Sequence, residues 1–258
     1  MFPKINEFKL KKNKSKIICL TAYSKNIAQI IDKHTDLILV GDSLGSVLYN
    51  FKSTRSVTLD MMIEHSKSVR KGISNSLMVV DMPFNTYNSP NQALKNCKKV
   101  MKLTKCDGIK LEGGLKIIKI VQFLIKNKIP VMGHLGILPQ FTKGKFKSKG
   151  KSVKEKKEIM RDSKLLEKAG AFSIVLECVE KNLAKEITNL INIPTIGIGS
   201  SNNCDGQILV TDDILGLTDS KTKFVKKFAD IKKIIFFGVR KFKKEVKSKK
   251  YPTKKYSY

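Results

Sequence analysis

Short hydrophobic runs rich in β-branched residues recur along the chain, separated by longer segments in which apolar residues return every three or four positions. The short runs are typical of strands buried on both faces of a parallel sheet, and the longer segments are typical of helices packed against that sheet. Eight strands are predicted at residues 16–23, 36–42, 77–83, 108–113, 129–136, 172–178, 194–199 and 207–213.

Two of the intervening segments carry clear helix signals. Thr58 can cap the helix that begins TLDMMIEH, and the segment 152–170 has helical spacing and ends at Gly170. Strands that alternate with helices in this way predict an α/β fold, a closed (β/α)8 TIM barrel. We expect a single barrel domain over residues 1–258 with a basic C-terminal tail from about 241, and a lid-like loop over residues 140–154.

Length and cysteine content narrow the class of protein further. A chain of 258 residues suits one large barrel, and it contains no internal repeat and no apolar run long enough to cross a membrane. The five cysteines are widely spaced and form no CxxC pair, which argues against a disulfide framework and against a zinc site. We therefore expect a cytoplasmic protein without membrane association.

The net charge of +29 raises the alternative of a basic nucleic-acid-binding protein. Residues 221–258 carry 15 Lys or Arg against two acidic residues, so nearly half of the excess lies in this tail. Lysine dominates over arginine, and aromatic residues are not interleaved with the charges in a stacking pattern. We expect a solvated lysine-rich surface and no specific nucleic-acid partner.

Five ionisable residues follow short apolar runs at the carboxyl ends of different predicted strands. They are Asp42, Asp81, Glu112, His134 and Glu177. The carboxyl ends of the strands of a parallel barrel converge on the face where such enzymes place their active sites. One Asp after a strand often only caps the next helix, whereas five such residues in register predict a common site.

Several carboxylates crowded at one barrel mouth repel one another, so some must be protonated or a cation must lie among them. Oxygen donors without a cysteine or histidine pair favour Mg²⁺ over zinc. Lys110 lies two residues before Glu112 on the same strand and therefore faces the same side, where it can meet a substrate anion or pair with an acid.

Long phrases of the sequence closely resemble the ketopantoate hydroxymethyltransferase family. They are LTAYS, VGDSLGSV, SVTLDMMIEH, VVDMPFNTY, IKLEGG, IPVMGHLGILPQ, AGAFSIVLECV, IPTIGIG and CDGQILVTDDILG, in this order from residue 17 to residue 217, with a weaker echo in the C-terminal YPTKKYSY. The departures are Ser24, GIGSS, Leu138 and Asp212, and none of them falls on a metal, base or oxo-acid position.

The resemblance implies roles for individual residues. Asp42, Asp81 and Glu112 correspond to the acids associated with Mg²⁺. Asp42 and Asp81 also belong to the substrate-binding set, with Ser43 and Lys110, which correspond to positions that hold the carboxylate end of the oxo acid. Glu177 corresponds to the catalytic base, and His134 is a further pocket residue. His34 and His65 match no functional position, and we expect surface or packing roles for them.

The resemblance also implies the reaction. The family adds a hydroxymethyl group from 5,10-methylenetetrahydrofolate to 3-methyl-2-oxobutanoate, giving ketopantoate for pantothenate and coenzyme A synthesis. An oxo acid that chelates Mg²⁺ has a more acidic C3 proton, and a carboxylate base can then remove it. The resemblance further implies a homo-oligomer, a decamer of two five-membered rings.

One other enzyme class fits the pattern of acids. A magnesium-dependent lyase or phosphonopyruvate-type mutase on the same barrel would also surround an enolate with carboxylates. Such lyases use a cysteine-bearing catalytic loop, and the chain contains no KKxCGH-like phrase. The residues of the motifs therefore favour the transferase over a lyase or mutase.

Overall fold

Eight parallel strands form a closed barrel in the computed structural model, which describes residues 2–142 and 147–258. The strands are β1 (Ile17–Thr21), β2 (Leu37–Val40), β3 (Leu77–Asp81), β4 (Gly108–Glu112), β5 (Val131–Gly136), β6 (Ser173–Glu177), β7 (Thr195–Ile198) and β8 (Gly206–Leu209). Each strand pairs with the next along the chain, and β8 pairs with β1. The predicted TIM barrel is confirmed.

Helices precede or connect most of these strands. They are α1 (Pro3–Leu10), α2 (Lys25–Ile31), α3 (Leu44–Tyr49), α4 (Leu59–Arg70), α5 (Pro90–Thr104), α6 (Ile118–Lys126), α7 (Val153–Lys168) and α8 (Lys181–Leu190). Both helices with clear sequence signals are present. The hydroxyl of Thr58 accepts from the N–H of Met61 at the start of α4, and that of Ser152 accepts from Glu155 at the start of α7.

The strands separate two apolar layers. Alternate side chains of each strand point outwards and pack against the helices, as Ile38, Val40 and Val80 do. The side chains between them point inwards and fill the interior of the barrel, as Leu39 and Val79 do. The interior layer is apolar near the amino ends of the strands and turns polar at their carboxyl ends, so the change in residue type along each strand sets the position of the polar site.

Helix α1 closes the amino end of the barrel. Its Ile5 and Phe8 are buried in the same cluster as the interior residues Ile17 and Leu37. The ring of Phe8 meets that of Phe172 edge to face, with 6.0 Å between centroids. A solid apolar core at this end leaves the opposite end as the place where small molecules can enter.

The predicted eighth strand is wrong at its carboxyl end. Residues 211–213 do not extend β8; they begin a short helix, α9 (Thr211–Ile214). Asp212 and Asp213 stand in its first turn, where carboxylates are stabilised by the N–H groups and the dipole of a helix. Sequence periodicity alone cannot separate a short apolar run that ends as a strand from one that ends as a helix.

The chain divides into two compact units, one that ends at Val210 and one that spans Thr211–Tyr258. The second unit contains α9 and α10 (Ile231–Lys247). Helix α10 is amphipathic and exposes large apolar side chains, namely Ile234, Ile235, Phe236, Phe237, Val239, Phe242 and Val246. The basic tail expected from about 241 therefore begins inside a helix.

The predicted lid covers residues 140–154, of which 143–146 lie outside the described residues. The described residues before and after this gap contact the rest of the barrel. Gln140 is buried, and Lys149 pairs with Val179 just beyond β6. No helix within residues 2–142 and 147–258 is long and apolar enough to cross a membrane.

Candidate active site

Interior-facing positions at the carboxyl ends of β3 to β6 bring the predicted residues together. Asp81 is in register with Lys110, and Glu112 is in register with His134. Glu177 is the last residue of β6, opposite Gly136. A side chain at Gly136 would collide with the carbonyl oxygen of Glu177, so glycine is required there for β5 and β6 to approach.

Asp42 and Ser43 reach the same mouth from the turn after β2. The backbone N–H of Asp42 donates to Oδ2 of Asp81 at 3.1 Å, which fixes the turn against β3. The hydroxyl oxygens of Ser43 and Tyr23 lie 2.8 Å apart, within hydrogen-bonding distance. Asp42 is 5% exposed and Asp81 3% exposed, so two carboxyl groups are buried side by side.

Lys110 places a positive charge beside the carboxyl groups of Asp42 and Asp81. Nζ of Lys110 lies 2.9 Å from Oδ1 of Asp81, and both side chains are almost fully buried. Burial lowers the pKa of Lys110, but the charges of Asp81, Glu112 and Asp42 outweigh burial and raise this pKa above its ordinary value. The ammonium is therefore charged at neutral pH.

One lysine does not balance the acids. Burial raises the pKa of Asp42 to about 7, and the neighbouring charge of Asp81 adds to the rise. Burial also raises the pKa of Glu112 well above its usual range, with Lys110 acting in the opposite direction. The mouth thus holds carboxyl groups that would ionise more readily if another cation joined Lys110.

His134 connects this cluster to Glu177. Its Nδ1 lies 3.4 Å from Nζ of Lys110 and 3.6 Å from Oε1 of Glu112, and its Nε2 lies 3.1 Å from Oε2 of Glu177. Within the described residues Nε2 has no well-aligned hydrogen bond, so the short distance to Glu177 is a contact without directed donation. Burial lowers the pKa of His134, and the charge of Lys110 lowers it further. A neutral ring results.

Backbone geometry fixes the end of β6. Cys178 adopts a left-handed conformation with φ of 51°, which turns the chain directly after Glu177. Its N–H donates to the carbonyl of Ile198 at 2.8 Å, and its carbonyl accepts from the N–H of Lys149 at 2.9 Å. These bonds hold an uncommon conformation for a non-glycine residue and so place the carboxylate of Glu177.

Sequence reasoning missed two buried residues at the mouth, Gln140 and Tyr87. The side chain of Gln140 donates to Oδ2 of Asp42 at 2.8 Å, and its backbone N–H donates to Oε2 of Glu112 at 3.0 Å. The hydroxyl of Tyr87 donates to Oε1 of Gln140 at 2.6 Å. Both residues end recognisable phrases, GHLGILPQ and DMPFNTY, but they lie in loops where no strand periodicity marks them.

Surface or packing roles are predicted for His65 and His34, which lie on α4 and directly after α2. His65 lies on α4 with Nδ1 2.7 Å from the carbonyl oxygen of Tyr23 and Nε2 2.9 Å from the hydroxyl of Tyr49. It packs the segment after β1 against α4. His34 is exposed in a short 3-10 turn after α2.

The donor set fits Mg²⁺ only with help from non-protein ligands. Within the part of the chain that is described, no three Asp, Glu, His or Cys side chains converge closely enough to hold a metal ion by themselves. Mg²⁺ is commonly held by one or two carboxylates, with water and substrate oxygens completing its shell. Asp42 and Asp81 supply such a pair. Oδ1 of Asp81 is buried, and Nζ of Lys110 lies 2.9 Å from it without an aligned hydrogen bond.

Comparison with known proteins assigns the family. The family model described as ketopantoate hydroxymethyltransferase matches residues 3–254. The chain belongs to the ketopantoate hydroxymethyltransferase family. A 3-methyl-2-oxobutanoate hydroxymethyltransferase from Pelagibacter ubique (strain HTCC1062) is 66% identical over 258 residues, which is all of both chains. A relative of the same name from Anaplasma marginale (strain St. Maries) is 47% identical over all of this chain and 94% of its own.

Solved structures with little sequence similarity share the barrel of this hydroxymethyltransferase family member. A phosphonopyruvate hydrolase solved with oxalate and Mg²⁺ superimposes with a TM-score of 0.62 at 10% identity, covering 98% of this chain and 93% of its own. A 2,3-dimethylmalate lyase gives 0.60 at 11% identity, covering 80% and 78%. At such identities the likeness shows the fold alone.

Proposed function

We propose that the chain catalyses transfer of a hydroxymethyl group from 5,10-methylenetetrahydrofolate to 3-methyl-2-oxobutanoate, with ketopantoate and tetrahydrofolate as products. The observation that carries this proposal is the convergence of all seven predicted site residues at one end of the barrel, in a chain that the family model matches over residues 3–254. The reaction serves pantothenate and coenzyme A synthesis.

Asp42 and Asp81 would hold Mg²⁺, with Glu112 as the third acid associated with it. When bound, Mg²⁺ supplies a Lewis acid that polarises the keto group of the oxo acid. The all-oxygen donors and the raised pKa of Asp42 support this assignment, because a buried pair of carboxyl groups favours binding of a cation. Glu112 is also engaged by the N–H of Gln140, which supports an orienting contribution from it.

Lys110 and Ser43 would bind the carboxylate end of the oxo acid. Lys110 is charged at neutral pH, and its stem is held in the barrel wall by β4, so its ammonium is a fixed donor. Ser43 stands at the start of α3 and carries a hydroxyl beside that of Tyr23. Together they would orient the acid so that its C3 carbon faces Glu177.

Glu177 would take the proton from C3 of the oxo acid. Its side chain is 13% exposed, which leaves it accessible to substrate while much of its surface is removed from water. The electron pair of the C3–H bond then forms the enolate. Water adds to the methylene carbon of the folate and both C–N bonds to that carbon break, which gives tetrahydrofolate and a carbon at the level of formaldehyde. C3 attacks this carbon, and the oxygen that came from water takes up a proton to become the hydroxyl of ketopantoate. Neutral His134, with Nε2 3.1 Å from Oε2 of Glu177, would pack beside the base without supplying a competing proton at neutral pH.

Assembly and location remain proposals. We propose a homo-oligomer, with the decamer expected from the resemblance, in the cytoplasm. The apolar side chains exposed along α10 support an association between protein surfaces, since monomeric proteins rarely expose contiguous apolar faces of this kind. The single-domain organisation predicted for residues 1–258 likewise stays a prediction.

Product analysis tests the proposed function. Purified protein is incubated with Mg²⁺, 3-methyl-2-oxobutanoate and 5,10-methylenetetrahydrofolate, and ketopantoate is measured by mass spectrometry. Ketopantoate formation that disappears in Asp42→Asn and Asp81→Asn supports the proposal. If the wild type forms no ketopantoate under these conditions, the proposal is wrong; binding of nucleic acid at physiological salt by both variants would then favour the alternative of a basic nucleic-acid-binding protein.

A further inference from the structure

Gln140 joins two of the acids at the barrel mouth although it lies in a loop after β5. It is 1% exposed. Its side-chain amide donates to Oδ2 of Asp42 at 2.8 Å and to the carbonyl oxygen of Met82 at 2.9 Å. Its backbone N–H donates to Oε2 of Glu112 at 3.0 Å. One residue therefore contacts an acid from the turn after β2 and an acid from β4.

The amide can adopt only one orientation here. Both hydrogens of its nitrogen face acceptors, the carboxylate of Asp42 and the carbonyl of Met82, while its oxygen accepts from the hydroxyl of Tyr87 at 2.6 Å. A rotated amide would place its oxygen against two other oxygens and leave the Tyr87 hydroxyl facing an NH₂ group. Tyr87 thus fixes the orientation of Gln140, and Gln140 fixes that of Asp42.

Burial keeps Tyr87 in the form that can donate. Tyr87 is 4% exposed, and burial together with the charge of Glu112 raises the pKa of its hydroxyl above the ordinary value. The hydroxyl is therefore protonated throughout the neutral range. The chain of donors runs from Tyr87 through Gln140 to Asp42.

We propose that Gln140 is a positioning residue for the reaction, which holds the carboxylates of Asp42 and Glu112 in the orientations that bind Mg²⁺ and the oxo acid, and that Tyr87 acts through it. The amide engages Oδ2 of Asp42 at 2.8 Å, which fixes how this carboxylate is turned at the barrel mouth. This inference rests on the proposed function, because the orientation matters only if a cation and an oxo acid bind at this mouth.

A neutral donor is the chemistry that this position needs. A lysine would compete with Mg²⁺ for the charge of Asp42, and a third carboxylate would repel the other two. An amide holds an anion by hydrogen bonds without neutralising it. Outer partners that orient metal ligands in this way typically change metal affinity or activity by 10- to 100-fold when they are removed.

The test compares four variants with the wild-type protein. Gln140→Met keeps side-chain volume and the backbone N–H to Glu112 but removes the amide, and Gln140→Glu keeps the shape but places an oxygen against Asp42. Tyr87→Phe removes only the hydroxyl. Gln207→Met is the control, because the side-chain amide of Gln207 also donates a hydrogen bond, to the carbonyl oxygen of Ser201, on β8, which supplies none of the site acids.

Mg²⁺ affinity in the presence of 3-methyl-2-oxobutanoate is measured by calorimetry, with thermal unfolding as the check on folding. We expect roughly 10- to 100-fold weaker Mg²⁺ binding for both Gln140 variants, a smaller loss for Tyr87→Phe and an unchanged value for Gln207→Met. The wild-type unfolding temperature should be nearly retained in Gln140→Met. The same variant should lower kcat of the full reaction by a similar factor.

A double variant separates positioning from packing. If Tyr87 acts through Gln140, adding Tyr87→Phe to Gln140→Met changes Mg²⁺ affinity by less than about twofold, since the interaction it removes is already gone. If the loss of Mg²⁺ affinity in the double variant equals the product of the losses in the two single variants, the proposed chain of donors is wrong. Wild-type Mg²⁺ affinity in Gln140→Met would overturn the positioning role, whereas a wild-type protein that binds no Mg²⁺ with the oxo acid would overturn the proposed function itself.

Discussion

Nζ of Lys110 lies 2.9 Å from Oδ1 of Asp81, and both side chains are almost fully removed from water at the carboxyl end of the barrel. The two residues face each other across β3 and β4, in register. Breaking a buried ion pair leaves an uncompensated charge, whereas an exposed pair contributes little. The ion pair is therefore part of the stability of the barrel as well as of its site.

Lys110→Met should lower the free energy of unfolding at pH 7 by about 3–5 kcal/mol, because Asp81 loses its partner beside Asp42. Lys99→Met is a matched control, since Lys99 and Asp60 are also 2.9 Å apart but mostly exposed, and it should cost less than about 1 kcal/mol. Urea unfolding without metal measures both. Equal losses in the two variants would contradict the account.

The raised pKa of Asp42 predicts a pH-dependent affinity for Mg²⁺. With a pKa of about 7 in the metal-free protein, Asp42 is largely protonated below neutrality, and Mg²⁺ must displace that proton. Mg²⁺ affinity should rise by up to about tenfold per pH unit towards pH 7 and level off above it. Calorimetry at several pH values, in buffers of different ionisation enthalpy, measures both affinity and released protons. A flat affinity between pH 5.5 and 8 would contradict this prediction.

His134 should be neutral at physiological pH. Burial and the nearby charge of Lys110 both disfavour the imidazolium, so the pKa of His134 should fall below the ordinary value of about 6.5. The chain has only three histidines, and the ring signal missing from His134→Gln identifies the residue in an NMR titration. A midpoint above pH 7 would mean that Glu177 holds an imidazolium, contrary to the role given to the neutral ring.

Asp32 lies outside the site, and its ionised carboxylate should stabilise the fold in a way that is lost in acid. Its carboxylate accepts from the backbone N–H groups of Ser74, Asn75 and Ser76, and these bonds lower its pKa to about 2 despite the opposing effect of burial. A depressed folded-state pKa stabilises the fold above the unfolded value of 3.8, and this stability is lost as pH falls through about 2.

Asp32→Asn should therefore lower the free energy of unfolding by about 2 kcal/mol at pH 7, with roughly half of the difference gone by pH 3. Denaturant unfolding of both proteins at the two pH values measures the change. A difference that stays constant over this range would show that the ionised form of Asp32 contributes no stability.

Much of the barrel and its site could be predicted because a parallel barrel converts sequence spacing into spatial position. Strand ends must meet, so Asp81, Lys110 and Glu177 could be grouped from their positions along the chain alone. Gln140 and Tyr87 could not, because a loop carries no periodicity that tells which side chain turns inward. The end of β8 was missed for a related reason: Thr211 continues an apolar run but begins a helix.

Proton exchange at C3 of 3-methyl-2-oxobutanoate tests the central claim most directly, because it isolates the first step from the folate. The protein is incubated with Mg²⁺ and the oxo acid in deuterium oxide, and the C3 proton is followed by NMR. Exchange by the wild type that is lost in Glu177→Gln, with unchanged folding and Mg²⁺ binding, is the predicted result. Undiminished exchange in Glu177→Gln, or no exchange by the wild type even after methylenetetrahydrofolate is added, would contradict the assignment of Glu177 as the base at this barrel mouth.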